Sequence, residues 1–508
     1  MQLRRLLLVA ASIALLPVAA RADDPLQWRA VALSRALAAA ETIEDPYRRA
    51  EALASIARVQ TLIAESSADR TIHLALAAVE QIREPAFRDW VLNDVVLAQI
   101  AADDLIGARE TANRIEAKRQ QGAALVQVAT FQLRAGNVAG AQQIAATIRE
   151  REAKSEILRQ IVAISAARGE LAAARSMLRD IDDPFYQALA AGDIAVAEVR
   201  AGRIDRANAL ASGVRRADRA QVFGRVALAR ADKGDMNGAL ETLQKVDDDL
   251  HRAVMQGRLA ATRAVEGDMD TSRKMFAAAI ADVEAHSGEP DRRALTFAQI
   301  GRLQAVSGDT QSAVPTLMRA LREAEGLERG DRREDTLDHI ARGLARAGDS
   351  AGALQAALRM NDRVARALLV RDVVTMQTNA DSASASASAA AFGDPLIEAA
   401  AQFGVLGMQL LRATAPLSQE TIEAARRAVR NIEEKQPKPA AFAALAAARV
   451  KTGDVDQGSS IFKEALAAAD AITRSDQRAA AYVDMVAALN DRLMFLGQPV
   501  TDGAQKEN

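Results

Sequence analysis

A glycine that returns at nearly constant spacing constrains this 508-residue chain more than any other feature. Gly136, Gly169, Gly202, Gly234, Gly267, Gly308 and Gly348 stand 33, 33, 32, 33, 41 and 40 residues apart; Gly453 repeats the setting, and Asp103 holds the slot 33 residues before Gly136. A period of this length marks a solenoid, in which each unit buries its apolar face only against its neighbours. Eight residues before each mark stands an aliphatic residue, from Val95 and Val128 through Ile300 and Ile340 to Leu445. Three residues earlier is a mostly large apolar slot running from Leu92 to Phe442, so the two slots share one helical face. Five residues after the mark comes a small residue, from Ala108 to Gly458. The pattern predicts helix, turn, helix. Glycine supplies the left-handed backbone that ends the first helix, the Asp or Asn beside it caps the second, and the small residue lets the two approach.

Asp45-Pro46, Glu84-Pro85, Asp183-Pro184 and Glu289-Pro290 mark unit boundaries, because proline is pre-set for the first turn of a helix. The residues resemble the tetratricopeptide repeat (TPR) family best in the units marked by Gly267 (Phe276, Ala279, Ile280), Gly308 (Gly301, Leu317, Ala320, Leu321) and Gly453 (Phe462, Ala465, Leu466). The units marked by Gly136 to Gly234 have a shorter second helix without the family's aromatic residue. What the resemblance implies is an all-α, right-handed α-solenoid of stacked TPR-like repeats, with a binding role and no specific ligand.

Residues 1–22 read as a secretory signal: Arg4 and Arg5, the apolar run Leu6 to Leu16, and the small-x-small site Ala20-Arg21-Ala22. Eleven apolar residues before Pro17 fall short of the roughly 20 that span a bilayer, so cleavage after Ala22 and no membrane span thereafter are expected. The expected address is the periplasm. With no cysteine, stability there rests on packing alone. Residues 23–381 form a first repeat array. The segment 382–393, with its run SASASASAA, reads as a flexible insert with nothing large to bury. A second array and a capping last helix occupy 394–495, and 496–508 reads as a disordered tail. Leu396 to Arg412, the most apolar helix, fits burial between neighbours better than docking on a partner or a membrane surface.

Without residues 1–22 the charges stand at 62 basic against 67 acidic, interleaved throughout, which argues against a nucleic-acid partner. His73, His251, His286 and His339 fall in four different units, and no metal spacing, phosphate loop or nucleophile elbow is present; no cofactor, metal or catalytic residue is assigned. Asp247-Asp248-Asp249 reads as a helix cap. Murein-cleaving transglycosylases share a periplasmic α-superhelix but carry a catalytic Glu-Ser in a separate domain; the only Glu-Ser here is Glu65-Ser66, in a turn. On the first helices, most solvent-side slots are small or apolar (Val126, Ala163, Val196, Leu228, Ala261, Ala305), which predicts close packing. The exceptions, Trp90, Arg159, Arg302, Asp335, Asp338 and Arg342, are the candidate partner-binding residues, with Asp338 and Arg342 spaced for an intrahelical ion pair. The expectation is a non-catalytic periplasmic scaffold or adaptor for a protein or peptide partner. The alternative is an accessory factor in envelope polysaccharide or lipid export.

Overall fold

Each glycine of the repeat ends a helix with a positive φ, from +76° at Gly202 to +91° at Gly453. In the computed structural model, which describes residues 25–380, 392–412, 419–489, 494–496 and 498–499, Asp103 (+61°) and Ala64 (+55°) take the same conformation, so a further unit turns at Ala64. The next N–H after the mark bonds back to the carbonyl five residues earlier, as from Asp235 to Arg230 (3.0 Å) and Asp349 to Leu344 (2.9 Å). This is the Schellman closure of a helix C-terminus. The side chains of Asp104, Asn137, Asp235, Asp268, Asp349 and Asp454 then accept the N–H three residues on, capping the second helix. At Gly107 the cap requires glycine, since a Cβ there would lie 2.0 Å from Asp104 Oδ2.

The packing slots behave as the spacing demands. The aliphatics eight residues before the marks and the small residues five after are buried throughout, Val226 and Ala239 among them. One further slot was not read from the sequence. Most loops that return from a second helix tuck in an apolar residue (Ile82, Ile115, Ile148, Ile181, Val246, Met360, Ile432, Ile472), as Ile43 does after Pro25–Glu41. Several of their carbonyls accept from a long side chain in the next helix, as Gln121 to Ile115 (3.0 Å), Arg252 to Val246 (3.0 Å) and Arg478 to Ile472 (3.1 Å). Each unit is thereby pinned to its successor.

The described residues form 25 helices and one pair of two-residue strands. Thirteen are first helices of a unit, here called A helices: Pro46–Leu62, Pro85–Ala101, Lys118–Arg134, Arg151–Ala167, Pro184–Arg200, Arg216–Asp232, Asp249–Val265, Pro290–Val306, Asp331–Ala347, Arg363–Ala380, Pro395–Arg412, Pro437–Lys451 and Ser475–Ala488. They stack in order into one layer, except that Pro395–Arg412 and Pro437–Lys451 are joined through Gln419–Asn431 instead of packing on each other, and each second (B) helix packs on the A helix before it. B helices have 8 to 10 residues in the units from Leu105 to Leu243 and at Ser350–Ala357, but 17 at Met269–Ala285. The two expected arrays are continuous, because Arg363–Ala380 packs directly on Pro395–Arg412. Leu396 to Met408 is almost wholly buried, and a Cβ on Gly404 would lie 2.6 Å from the Arg371 carbonyl. That helix is a packed member of the A layer.

The last helix does not cap an open end, and the expectation of a cap is corrected here. Ser475–Ala488 packs against the first helix, Pro25–Glu41, and against Pro46–Leu62. Among the described residues no B helix follows it, and Pro25–Glu41 fills that place with a buried stripe of Trp28, Ala32, Leu33, Ala36 and Ala40. Trp28 stacks on Phe462 (4.7 Å, 9°), Arg29 donates twice to the Leu489 carbonyl (2.6 and 3.1 Å), and Thr42 bonds Ser475 (2.9 Å). Arg35 pairs with Asp470, and Arg48 with Asp476. The solenoid is a closed ring.

The expected tail is also partly ordered. Gln498–Pro499 pairs antiparallel with Met494–Phe495. Buried Phe495 lies 4.8 Å from Phe403, and Arg371 donates to the Gln498 carbonyl (3.1 Å). The strand pair sits where Pro395–Arg412 and Pro437–Lys451 approach least closely. Residues 1–22, expected to be a secretory signal, the run Ser382 to Ala390 and residues 500–508 lie outside the described residues.

Candidate functional site

A polar slot recurs near the middle of most A helices, nine residues before the mark: Asp94, Gln127, Gln160, Asp193, Arg225, Arg258, Gln299 and His339, with Asp372 and Asp484 in the corresponding place on later helices and Ala444 the exception before Gly453. Several of these side chains bond across the seams of the A layer, Gln160, Asp193, Arg225, His339 and Asp372 among them. Thr130 donates to Gln160 (3.0 Å), and Arg342 reaches Asp372 (2.9 Å). The spacing carried this ladder all along, but it is masked because its members differ in charge from unit to unit.

The candidate partner residues fall into three places. Arg159 belongs to the ladder, 3.3 Å from Asp193, which also receives Arg225. Arg302, Asp335, Asp338 and Arg342 gather around His339. Arg302 Nη1 lies 3.1 Å from His339 Nδ1, and Arg342 Nε bonds both Asp338 oxygens (2.9 and 3.0 Å). Burial first, then the Arg302 charge, holds the His339 imidazole below its ordinary range. Arg342 continues to Asp372, and Asp372 to the fully buried Arg371. The default intrahelical pair is present, inside a larger network whose charges are already matched. Such a network fixes the stacking of Asp331–Ala347 on Arg363–Ala380 and leaves little charge for a partner.

Trp90 lies elsewhere and differs in kind. It is 62% exposed and Phe87, one turn earlier, 51%, the two most exposed aromatic side chains among the described residues. Phe87, Trp90 and Asp94 share one face of Pro85–Ala101, with the buried Leu92 on the opposite side. On the preceding A helix, Tyr47 meets Phe87 with ring centroids 5.0 Å apart, and Glu51 stands one turn on. Burial, then the Asp94 and Asp476 charges, raises the Glu51 carboxyl; burial also raises Asp94, against the pull of Arg58. No salt bridge engages Glu51 or Asp94 among the described residues, in contrast to the His339 network. Aromatic surface and carboxylates outside any salt bridge thus lie side by side.

A second concavity opens on the B side, where the short helices Leu171–Leu178 and Ile204–Gly213 leave part of Pro184–Arg200 uncovered. It encloses about 540 Å³ over Ala191, Leu178, Leu210 and Val214, with Arg175, Arg179 and Arg206 around it. Arg175 is held by the buried Glu198 (2.8 Å), which also takes Arg203. Among the described residues no helix is long and apolar enough to cross a membrane.

No family profile matches the chain, and no curated protein does. Solved structures share parts of its course at low identity. Ton1535 from Thermococcus onnurineus NA1 is 14% identical over 58% of this chain and 98% of its own, with a TM-score of 0.31. A signal-transduction ATPase with a tetratricopeptide repeat sensor from Pyrococcus horikoshii is 12% identical over 84% of this chain and 63% of its own (TM-score 0.26). A circular tandem repeat protein is 12% identical over 88% of this chain and 97% of its own (TM-score 0.22). On its own repeat geometry, the chain is an all-α solenoid of TPR-like hairpins closed by its first helix.

Proposed function

We propose that the chain is a non-catalytic scaffold of the periplasm, exported by residues 1–22, that binds a protein or peptide partner on the A-layer face around Trp90. The observation that carries this reading is the exposure of Trp90 and Phe87 beside Tyr47 on two adjacent rigid helices. Exposed aromatics of low conformational freedom are the anchors on which binding energy concentrates. The expected cut after Ala22 supports the export half, leaving Asp23 and Asp24 before the first described helix. The test is a photo-crosslinking residue at position 90 in cells, with the same residue at exposed Arg179 as control. A discrete protein adduct from position 90, found in the periplasmic fraction, is expected. Absence of any adduct specific to position 90 would sink the binding half, and a cytoplasmic location the export half.

The accessory role in lipid or polysaccharide export has one foothold, the apolar concavity with Arg175, Arg179 and Arg206. Native mass spectrometry of gently purified protein should retain a lipid or glycan if that role holds, and empty protein would remove it.

A further inference from the structure

Resting on the scaffold reading of the Trp90 face, we propose that its occupant is an extended protein segment bearing lysine or arginine, seated over Tyr47, Phe87 and Trp90 and held by Glu51 and Asp94. The argument is one of complementarity. An indole face attracts a cation through its quadrupole, and a carboxylate without a partner gains a charge-assisted hydrogen bond from an ammonium or guanidinium. Both lie on the same two helices: Phe87, Trp90 and Asp94 share one face, and the Glu51 and Asp94 charges are close enough to feel each other.

The surrounding charges leave an acidic excess. Arg58 is the cation that acts on Asp94. Arg48 is taken by Asp476, which also holds Arg474 (2.5 Å), and Arg88 is taken by Glu116. Asp45 caps its helix by accepting from the Arg48 N–H (2.8 Å) and adds a further negative charge near Tyr47. An anionic or purely apolar occupant would leave Glu51 and Asp94 buried beneath it without partners. A cationic one satisfies them, and an extended segment lets successive side chains reach successive helices of the stack.

The sequence contains two tryptophans, and the other, Trp28, is 2% exposed under Phe462, so acrylamide quenching of the intact mature chain reports on Trp90. The probes are three synthetic twelve-residue peptides with the same apolar content and, respectively, lysine and arginine, glutamate, or serine at the polar positions. The basic peptide is expected to protect Trp90 from quenching, and the other two to leave it unchanged. Joint Glu51→Gln and Asp94→Asn substitution should weaken that binding at least tenfold, while Asp270→Asn, an exposed carboxylate on the B helix Met269–Ala285, should not alter it. Equal binding of all three peptides, or full binding by the double variant, would overturn the proposal. The two readings fail separately: a crosslinked partner at position 90 together with indifference to basic peptide removes only the cationic chemistry, whereas peptide protection without any adduct in cells removes the scaffold reading.

Discussion

Ala239 and Ala313, each fully buried where two helices of a hairpin meet, show how little side-chain volume the close approach tolerates. Ala239→Trp or Ala313→Trp overfills that contact and should cost at least about 1–3 kcal/mol. A melting curve checks it, and an unchanged midpoint would mean that the slot is not where the repeat places it. Asp484, in the middle of the last A helix, poses the opposite problem, a carboxyl that burial raises to about 6. Its folded pKa lies above its unfolded value, so its contribution is fully present below the unfolded pKa and is lost as pH rises through about 6. Asp484→Asn is therefore expected to stabilise the protein at pH 7 by up to roughly 3 kcal/mol and to have little effect near pH 3. Denaturant titration at the two pH values separates the cases. His251 and His339 act in the other sense. Burial lowers both, so the stability that depends on their neutral forms is lost as pH falls through their folded pKa values.

At the scale of the element, the hairpin was legible because its constraints are local and repeat. Glycine at positive φ, Asp at the cap, an aliphatic eight residues before and a small residue five after are forced by the geometry of a tight helical turn, so they recur in register. Proline fixed the starts at Pro46, Pro85, Pro184 and Pro290 for the same reason. What escaped was whatever depends on the next unit. The tucked loop residue from Ile43 to Ile472 carries no turn signal, and the mid-helix polar slot changes identity to suit its neighbour. Of the candidate site, Trp90 was legible as an exception on an apolar face, but Tyr47, Glu51, Phe87 and Asp94 were not, since only stacking brings the two helices together. The terminal strand pair escaped because its burial comes from Phe403, 92 positions away. Phe495→Ala removes that contact and should cost about 3–5 kcal/mol if the site does not collapse. Hydrogen exchange in Pro395–Arg412 should accelerate, and unchanged protection there would show that the wedge is dispensable.

At the scale of the molecule, closure was beyond sequence reasoning because it depends on curvature, a small rotation per unit summed over thirteen A helices. An open solenoid has two terminal units that lack a neighbour and fray. Here Ser475–Ala488 has neighbours on both sides, one of them supplied by the other end of the chain. A chain lacking residues 25–41 should lose protection first at Ser475–Ala488 and expose Tyr482 and Phe462 to a hydrophobic dye. Adding a peptide of residues 23–45 should restore both, and a deletion variant as protected as the intact chain would contradict the closure.

Closure also sets an order in time. Arg29 and the carbonyl it binds are 460 residues apart, so Pro25–Glu41 meets Pro46–Leu62 early but finds Ser475–Ala488 only when nearly all of the described chain has followed. A 17-residue helix is marginal alone in water, and Trp28 stays uncovered for that interval. Of the described helices, the first is the one whose docking is completed last, and the ring closes only when Ser475–Ala488 has joined it.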